Sequence, residues 1–588
     1  MPSKDPRIFQ FPQVCIVEAS AGSGKTHALA QRYVQLLINP TLKLQEIPLR
    51  NILAMTFSNK AAFEMKERIL EFLKKIALDK FTSLKEKESI LSFLDVDFAF
   101  AQKKAYVLMD NLIKNYNFFQ VQTIDSFINA ILSGCAFRLN LSANFRIKTD
   151  YSDYLSYSLD RLIDRASCEK DVLNMFQKFL LQYIHIENRT GWFPKKDILL
   201  LVTDLFSKVN KYGATFKRSR VETKELVAKK KKILQSIRSL QRNLPAETHG
   251  TFEKKLADFI EQNRDTFDLD DVSGFFSKEE FPVTKNGKIP ARIAKQWKQI
   301  RENIQEVAEL ESRAVFNTYI DIFNQVLDDF KALSSKEDIL FLDELNRETR
   351  VLFDEKAIGP PELYYRLATR LKHFLIDEFQ DTSNLQWQNL YLMVEEALST
   401  GGSLFYVGDK KQAIYRFRGG DVTLFDSVKE RFKNFNVIAF SLNQNYRSQK
   451  EIVEFTNEIF SQEHLQGFFE QIGEVKKSGF KFAPDEINQI LEVFKESRQT
   501  HKKDREAGYV KIELVDSKNK DERNEMTKDR FLNLVVGLKN RWNDRDIAVL
   551  TRKNDDVELL TEWLIEKGIP VESEKTLNIR NNSYIKEV

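Results

Sequence analysis

The run Ala19-Ser20-Ala21-Gly22-Ser23-Gly24-Lys25-Thr26 decides how this chain is read. It follows the short apolar run Val14 to Glu18 and precedes a helical pattern expected to begin near His27. A strand, a glycine-bearing turn and a helix in that order make a loop that cradles phosphate. Gly22 and Gly24 let the backbone turn its N–H groups inward towards phosphate oxygens, while the following helix presents the positive end of its dipole. Lys25 is placed to reach the β and γ phosphates of a nucleotide, and Thr26 to offer a hydroxyl to Mg²⁺. The first position of the usual pattern holds Ala19 instead of glycine, which exchanges one small residue for another. A glycine-rich turn without a ligand would leave Lys25 unexplained.

Outward from this loop, Asn51 to Phe57 reads as a second strand after the helix, the βαβ signature of a doubly wound α/β domain with a parallel sheet and helices on both faces. From about Tyr151 to Ser335 strand signals become scarce and apolar positions such as Leu155, Leu159, Leu162 and Ile163 recur at helical spacing, so this stretch reads as a large all-helical insertion. Strands resume at Phe374 to Ile376, Leu404 to Val407 and Val437 to Phe440, with further ones expected at Tyr509 to Leu514 and Ile547 to Leu550. The expected organisation is a discontinuous α/β domain over 1–150 and 336–435, the insertion over 151–335, and a second α/β unit over 436–588.

Composition fits a folded, mostly helical protein: 42% hydrophobic and 30% charged residues leave no room for disorder as the theme. The start of the chain, MPSKDPRIFQF, has no apolar signal region, and no apolar run approaches the roughly 18 residues of a membrane span, so the expected location is cytoplasmic with no membrane partner. Cys15, Cys135 and Cys168 are widely separated and read as reduced thiols. Net charge is only +4, so any groove for a polyanion is local. The run Lys229 to Lys232 lies in a polar helical stretch and reads as a solvated face.

A phosphate cradle needs an acid at the end of a neighbouring strand. His373-Phe374-Leu375-Ile376-Asp377-Glu378 supplies it, with Asp377 to hold the metal and Glu378 to act as general base on attacking water. Taken alone, this is equally an acidic helix cap after a buried strand. The residues that follow separate the two readings. Asp377-Glu378-Phe379-Gln380-Asp381-Thr382, continuing to Gln386, is similar to the DExx box of UvrD-like superfamily 1 DNA helicases. The resemblance continues along the chain. Thr56-Phe57-Ser58-Asn59-Lys60-Ala61-Ala62 resembles the family's TFTNKAA segment, and Thr123-Ile124-Asp125-Ser126-Phe127 its next DNA-contacting element, with Asp125 where many relatives carry histidine. Gly408 to Asp421 resembles the element that links nucleotide to DNA, and Gln444-Asn445-Tyr446-Arg447-Ser448 the NYRS element of the second motor domain. The wording Glu18-Ala19-Ser20-Ala21-Gly22, the short leader and the large insertion lean towards the RecB/AddA branch.

The resemblance implies RecA-like P-loop NTPase domains, ATP and Mg²⁺ as cofactors, and an ATP-dependent helicase or translocase, 3′ to 5′, serving recombination and double-strand break repair. Its implied partners are single-stranded DNA, DNA ends and a nuclease/helicase subunit of the RecBCD/AddAB type. By carry-over, Gln412 senses the γ-phosphate, Arg447 touches it and Tyr446 stacks on adenine. Thr56, Phe57, Asn59, Thr123, Ser126, Phe127, Tyr415 and Phe417 are implied to meet DNA, where stacked rings contribute about 1–3 kcal/mol per base with little sequence preference. Core packing is the competing role for each ring.

The sequence departs from the family in two places. No LNxxQ element precedes the loop, since Gln10 and Gln13 lie too close to Ala19. Nothing before Val588 resembles the later H-x-x-KG-x-E or R-x-x-Y-V-A-x-T-R segments, so the chain is expected to be truncated before the last helicase motifs. The alternative function is an ATP- and DNA-binding fragment or subunit without unwinding activity of its own, supporting a partner. A P-loop phosphotransferase acting on a small molecule leaves Gln412, Arg447 and the aromatic segments without a role.

Overall fold

A computed structural model describes residues 6–38, 49–94, 96–139, 141–142, 144–185, 187, 194–263, 266–276, 278–284, 289–354, 358–416, 419–474, 482–502, 504–517 and 519–573. The chain forms two compact units, Met1–Glu506 and Ala507–Val588.

The first unit is built on a parallel sheet of six strands. They are β1 (Gln13–Ala19), β2 (Ile52–Thr56), β3 (Val121–Thr123), β6 (His373–Ile376), β7 (Ser403–Gly408) and β8 (Asn436–Leu442), in the spatial order β3-β2-β6-β7-β1-β8. Two further strands, β4 (Arg146–Lys148) and β5 (Ile339–Phe341), pair with each other in parallel outside it. The central strands are nearly continuous apolar runs because both sheet faces are covered. Alternation along each strand then divides the core in two. Val14, Ile16, Leu53, Met55, Phe374, Ile376, Leu404 and Tyr406 join the helices Ile124–Cys135, Leu345–Asp354 and Asn384–Ser399 on one face. Cys15, Val17, Ala54, Leu375, Phe405 and Val407 join Lys25–Ile38, Asn59–Leu78 and Phe98–Lys114 on the other. The α/β fold with helices on both faces of a parallel sheet is therefore as expected.

Between β4 and β5 the described residues are mostly helical, and the pairing of Arg146 with Ile339 through Lys148 with Phe341 brings the two ends of this stretch together. Helices Ser152–Arg165, Lys170–His185, Lys195–Tyr212 and Asn317–Lys336 pack around Phe206, Phe323 and Phe330. Helices Thr223–Arg242, Gly250–Gln262 and Ala291–Ala314 pack around Trp297. The lysine run 229–232 is not wholly solvated: Lys230 is fully buried and pairs with Glu311 at 2.7 Å, while Lys229 reaches Glu306 at 2.6 Å. Its position opposite Glu306 and Glu311 of the facing helix, invisible in a one-dimensional charge pattern, is the reason.

The domain boundary expected at 435 falls just before a strand that joins the first sheet. Strand β8 pairs with β1 from Gln13–Asn436 to Ala19–Leu442, so the first sheet extends past it. Beyond lie β9 (Gln444–Asn445) and β10 (Thr500–His501), paired in parallel, with helices Lys450–Ile459, Gln462–Glu474 and Pro484–Phe494 between them. In the second unit, helices Lys520–Lys539 and Asn554–Glu566 share a small core of Leu532, Val535, Trp563 and Leu564. The strands expected at 509–514 and 547–550 do not form: among the described residues of this unit no strand is present to pair with them. Leu514 and Leu550 are accordingly exposed.

Cys15 and Cys135 are buried free thiols and Cys168 an exposed one. Among the described residues no helix is long and apolar enough to cross a membrane.

Candidate functional site

Strand β1 ends at Ala19, and the next helix starts at Lys25, two residues earlier than the sequence pattern suggested. Lys25 and Thr26 therefore lie in its first turn, where backbone N–H groups have no partner within the helix and attract anions. Gly22 (φ 75°) and Gly24 (φ 93°) occupy the left-handed region that the turn requires. Ser23 closes the loop on itself, donating from N and from Oγ to the Ser20 carbonyl at 3.2 and 2.7 Å. Ala19, Ser20 and Ser23 are buried, whereas Ala21 is exposed.

Facing the loop is the end of β6. Lys25 Nζ donates to Glu378 Oε2 at 2.8 Å and to Gln412 Oε1 at 2.9 Å. Gln412 Nε2 donates to Asp409 Oδ2 (2.7 Å), Asp409 N to Gln380 Oε1 (2.9 Å), and Gln380 Nε2 back to Glu378 Oε2 (2.8 Å). These five residues form a closed polar ring. The sequence reading brought Lys25, Glu378 and Gln412 to the site but missed Gln380 and Asp409, although both stand inside the quoted motifs. Glu378 itself is in the left-handed region, at φ 49°. A non-glycine residue held there stores of order 1–3 kcal/mol, a cost that clusters at functional sites.

Asp377 is buried and accepts from Thr26 Oγ1 at 3.3 Å. Burial, then the adjacent Glu378 charge, push its carboxyl up to about 7 against the opposing pull of Lys25. The same two causes lift Asp381 to about 6. Lys25 offsets only part of this crowded negative charge, and a hard cation between Asp377 and Thr26 would offset more of it. Among the described residues no group of three or more His, Cys, Asp or Glu could hold a metal alone. A Mg²⁺ held by one carboxylate and one hydroxyl, with phosphate oxygens and water completing its shell, fits that donor set.

The third wall is 444–448. Tyr446 N–H donates to the Gly22 carbonyl at 2.9 Å, and Asn445 Nδ2 to the Ala21 carbonyl at 3.2 Å. A Cβ on Gly22 would lie 2.8 Å from Asn445 Oδ1 and 2.9 Å from Arg447 Cβ, so the glycine is needed for close approach as well as for its φ. Tyr446 and Arg447 are exposed. Gln499, which no sequence motif singled out, also donates to the Ala21 carbonyl, at 2.8 Å. Gln13 is buried and bonded to the Arg7 carbonyl and to the Arg32 guanidinium.

The residues expected to meet DNA divide. Phe57 and Tyr415 are half-buried and lie against each other with ring centroids 4.4 Å apart, and Asn59 and Ser126 are exposed. Phe127 is 3% exposed within the sheet core and Thr56 is fully buried. Thr123 is buried and caps the helix Ile124–Cys135 by accepting from Ser126 N at 3.1 Å. In the fold, Thr56 and Phe127 are packed and Thr123 caps a helix, whereas Asn59 and Ser126 face outward. The burial of Thr56, Phe127 and Thr123 follows from sitting at, or one turn beyond, the ends of paired strands. Phe417 lies outside the described residues.

The UvrD/REP helicase N-terminal domain matches residues 3–433, most of the chain. The chain belongs to the UvrD-like helicase family. The UvrD-like helicase C-terminal domain matches residues 440–588. That match corrects the expectation of a chain truncated before the last helicase motifs.

Among curated proteins, this UvrD-like chain is similar to an ATP-dependent helicase/nuclease subunit from Listeria innocua, at 26% identity over 76% of the chain and 38% of the relative. The corresponding subunits from Staphylococcus haemolyticus (22%, 91% and 46%) and Natranaerobius thermophilus (24%, 95% and 47%) are similar over more of it. The chain spans less than half the length of each.

Proposed function

We propose that this chain is an ATP-dependent DNA helicase or translocase, moving 3′ to 5′ on single-stranded DNA in recombination and repair of double-strand breaks. The observation that carries this reading is the Lys25 ammonium shared between Glu378 and Gln412, because it joins the phosphate loop, the general base and the γ-phosphate sensor at one atom. ATP lies with its phosphates along Ala19 to Thr26. Mg²⁺, when bound at Thr26 and Asp377, supplies positive charge to the phosphate oxygens. Lys25 turns from Glu378 to the β and γ phosphates, which frees Glu378 to accept the proton of attacking water. Gln412 passes the state of the γ-phosphate to Asp409, and Arg447 adds a cation from the opposite wall. Tyr446, with its exposed ring, stacks on adenine.

Residues 1–150 with 336–435 and strand β8 are the first RecA-like motor domain in this reading, 151–335 its insertion, and the remainder to 588 the second. Tyr415, Phe57, Asn59 and Ser126 form the DNA path beside the loop. In this reading the chain works on broken DNA ends in the cytoplasm. The word "subunit" in the relatives' names favours a second reading, in which the chain binds ATP and DNA but unwinds only with a nuclease/helicase partner.

The test is ATP hydrolysis by the purified chain with and without single-stranded DNA, beside Lys25→Ala and Glu378→Gln. DNA-stimulated turnover lost in both variants supports the motor. Turnover or unwinding that arises only when a partner subunit is added supports the second reading, and turnover that survives Lys25→Ala sinks both.

A further inference from the structure

A phosphate cradle points its N–H groups inward, so its carbonyls point outward and need partners of their own. Here the outward carbonyls of Ala21 and Gly22 are satisfied by residues more than 400 positions away in sequence. Ala21 O accepts from Gln499 Nε2 at 2.8 Å and from Asn445 Nδ2 at 3.2 Å, and Gly22 O accepts from Tyr446 N at 2.9 Å. Asn445 Nδ2 donates at the same time to Gln499 Oε1 at 3.0 Å. The two amides and the Ala21 carbonyl thus form a triangle on the back of the loop.

The backbone that presents Gln499 is fixed on both sides. Gln499 N–H donates to Asn457 Oδ1 and Asn457 Nδ2 donates to Gln499 O, both at 2.9 Å. The next residue, Thr500, donates to the Asn443 carbonyl at 2.9 Å and enters the β9–β10 pair. Gln499 is therefore pre-organised before any ligand arrives, and a group held this way loses little entropy when it acts.

We infer that Gln499 is a positioning residue of the nucleotide site: by gripping the Ala21 carbonyl it holds the phosphate loop in the conformation that presents its N–H groups to the polyphosphate. This rests on the reading of Ala19 to Thr26 as an ATP-binding loop. Gln499 touches neither the reacting atoms nor the base, so its removal weakens phosphate binding and leaves the chemical step alone.

The decisive variant is Gln499→Glu, which keeps the size of the side chain and its acceptor for Asn445 but faces the Ala21 carbonyl with an oxygen. In the full chain it raises KM for ATP about tenfold, the worth of one or two hydrogen bonds, with kcat within twofold. It weakens inhibition by inorganic tripolyphosphate by the same factor, because the contact serves the phosphates and not the base. Gln499→Leu, which removes the grip without adding charge, shifts both in the same direction and leaves thermal unfolding unchanged. If both variants match the wild type in KM and in tripolyphosphate inhibition while Lys25→Ala no longer binds nucleotide, Gln499 is not a positioning residue although the loop is correctly assigned. If Lys25→Ala binds ATP as the wild type does, the loop assignment fails and this inference fails with it.

Discussion

Lys25 Nζ lies 2.8 Å from Glu378 Oε2, so the cation expected to bind phosphate is paired with the carboxylate expected to activate water. Each holds the other in place, and nucleotide phosphates compete with Glu378 for the lysine. Glu378→Gln weakens that competition and abolishes the base together. The expected outcome is nucleotide affinity equal to or above the wild type, with turnover lowered by about 10²- to 10⁴-fold. Equilibrium binding of a fluorescent ATP analogue beside steady-state hydrolysis measures both, and a variant that hydrolyses ATP at the wild-type rate rules out Glu378 as the base.

Lys230 and Glu311 form a buried ion pair inside the insertion, joining helices Thr223–Arg242 and Ala291–Ala314. Burial pushes the Glu311 carboxyl up, which Lys230 opposes. Removing one partner of such a pair strands the other and costs about 3–5 kcal/mol, whereas replacing both with apolar residues is often neutral. Lys230→Ala is expected to accelerate hydrogen exchange along both helices, and the double variant Lys230→Met with Glu311→Leu to restore protection. Unchanged exchange in Lys230→Ala means that the pair contributes nothing to the stability of the insertion.

What the sequence made legible was what lies close together along it. The phosphate loop, Asp377-Glu378 at its strand end and the apolar strands β2, β6 and β7 are local patterns, and they appear where the pattern puts them. Gln412 was found because a family motif carries it, and Lys25 meets it across 387 positions. Gln499 and Lys230 were not legible, since a glutamine in a polar stretch and a lysine in a lysine run acquire meaning only from partners brought in by the fold. Phe127 and Thr56 show the opposite case: their motifs suggest contact with DNA, while the fold buries Phe127 in the core beside the sheet and Thr56 at the end of β2. The missing strands at 509–514 and 547–550 show the same limit, because an alternating pattern specifies a strand only where a neighbour supplies its ladder.

His373 opens β6 fully buried, its Nδ1 2.8 Å from Ser403 Oγ and its ring edge-on to Phe11 at 5.4 Å. Burial, followed by the charge of Arg32, lowers its pKa from 6.5 to about 3, so the folded chain keeps this ring neutral where an unfolded chain would protonate it. Below pH 6.5 the unfolded state therefore binds one more proton at this position, and stability falls as pH drops through the window from 6.5 towards 3. One proton corresponds to about 1.4 kcal/mol per pH unit, or roughly 2 kcal/mol between pH 6.5 and 5. His27, lowered to about 4 by burial and then by Arg68, adds in the same direction. His373→Asn keeps a group that can bond Ser403 but cannot take up the proton, so it should be less stable than the wild type at pH 7.5 and lose less on acidification. Urea unfolding of both chains at pH 7.5, 6.5 and 5 separates the cases: converging curves assign the acid sensitivity to this ring, and parallel curves place it elsewhere.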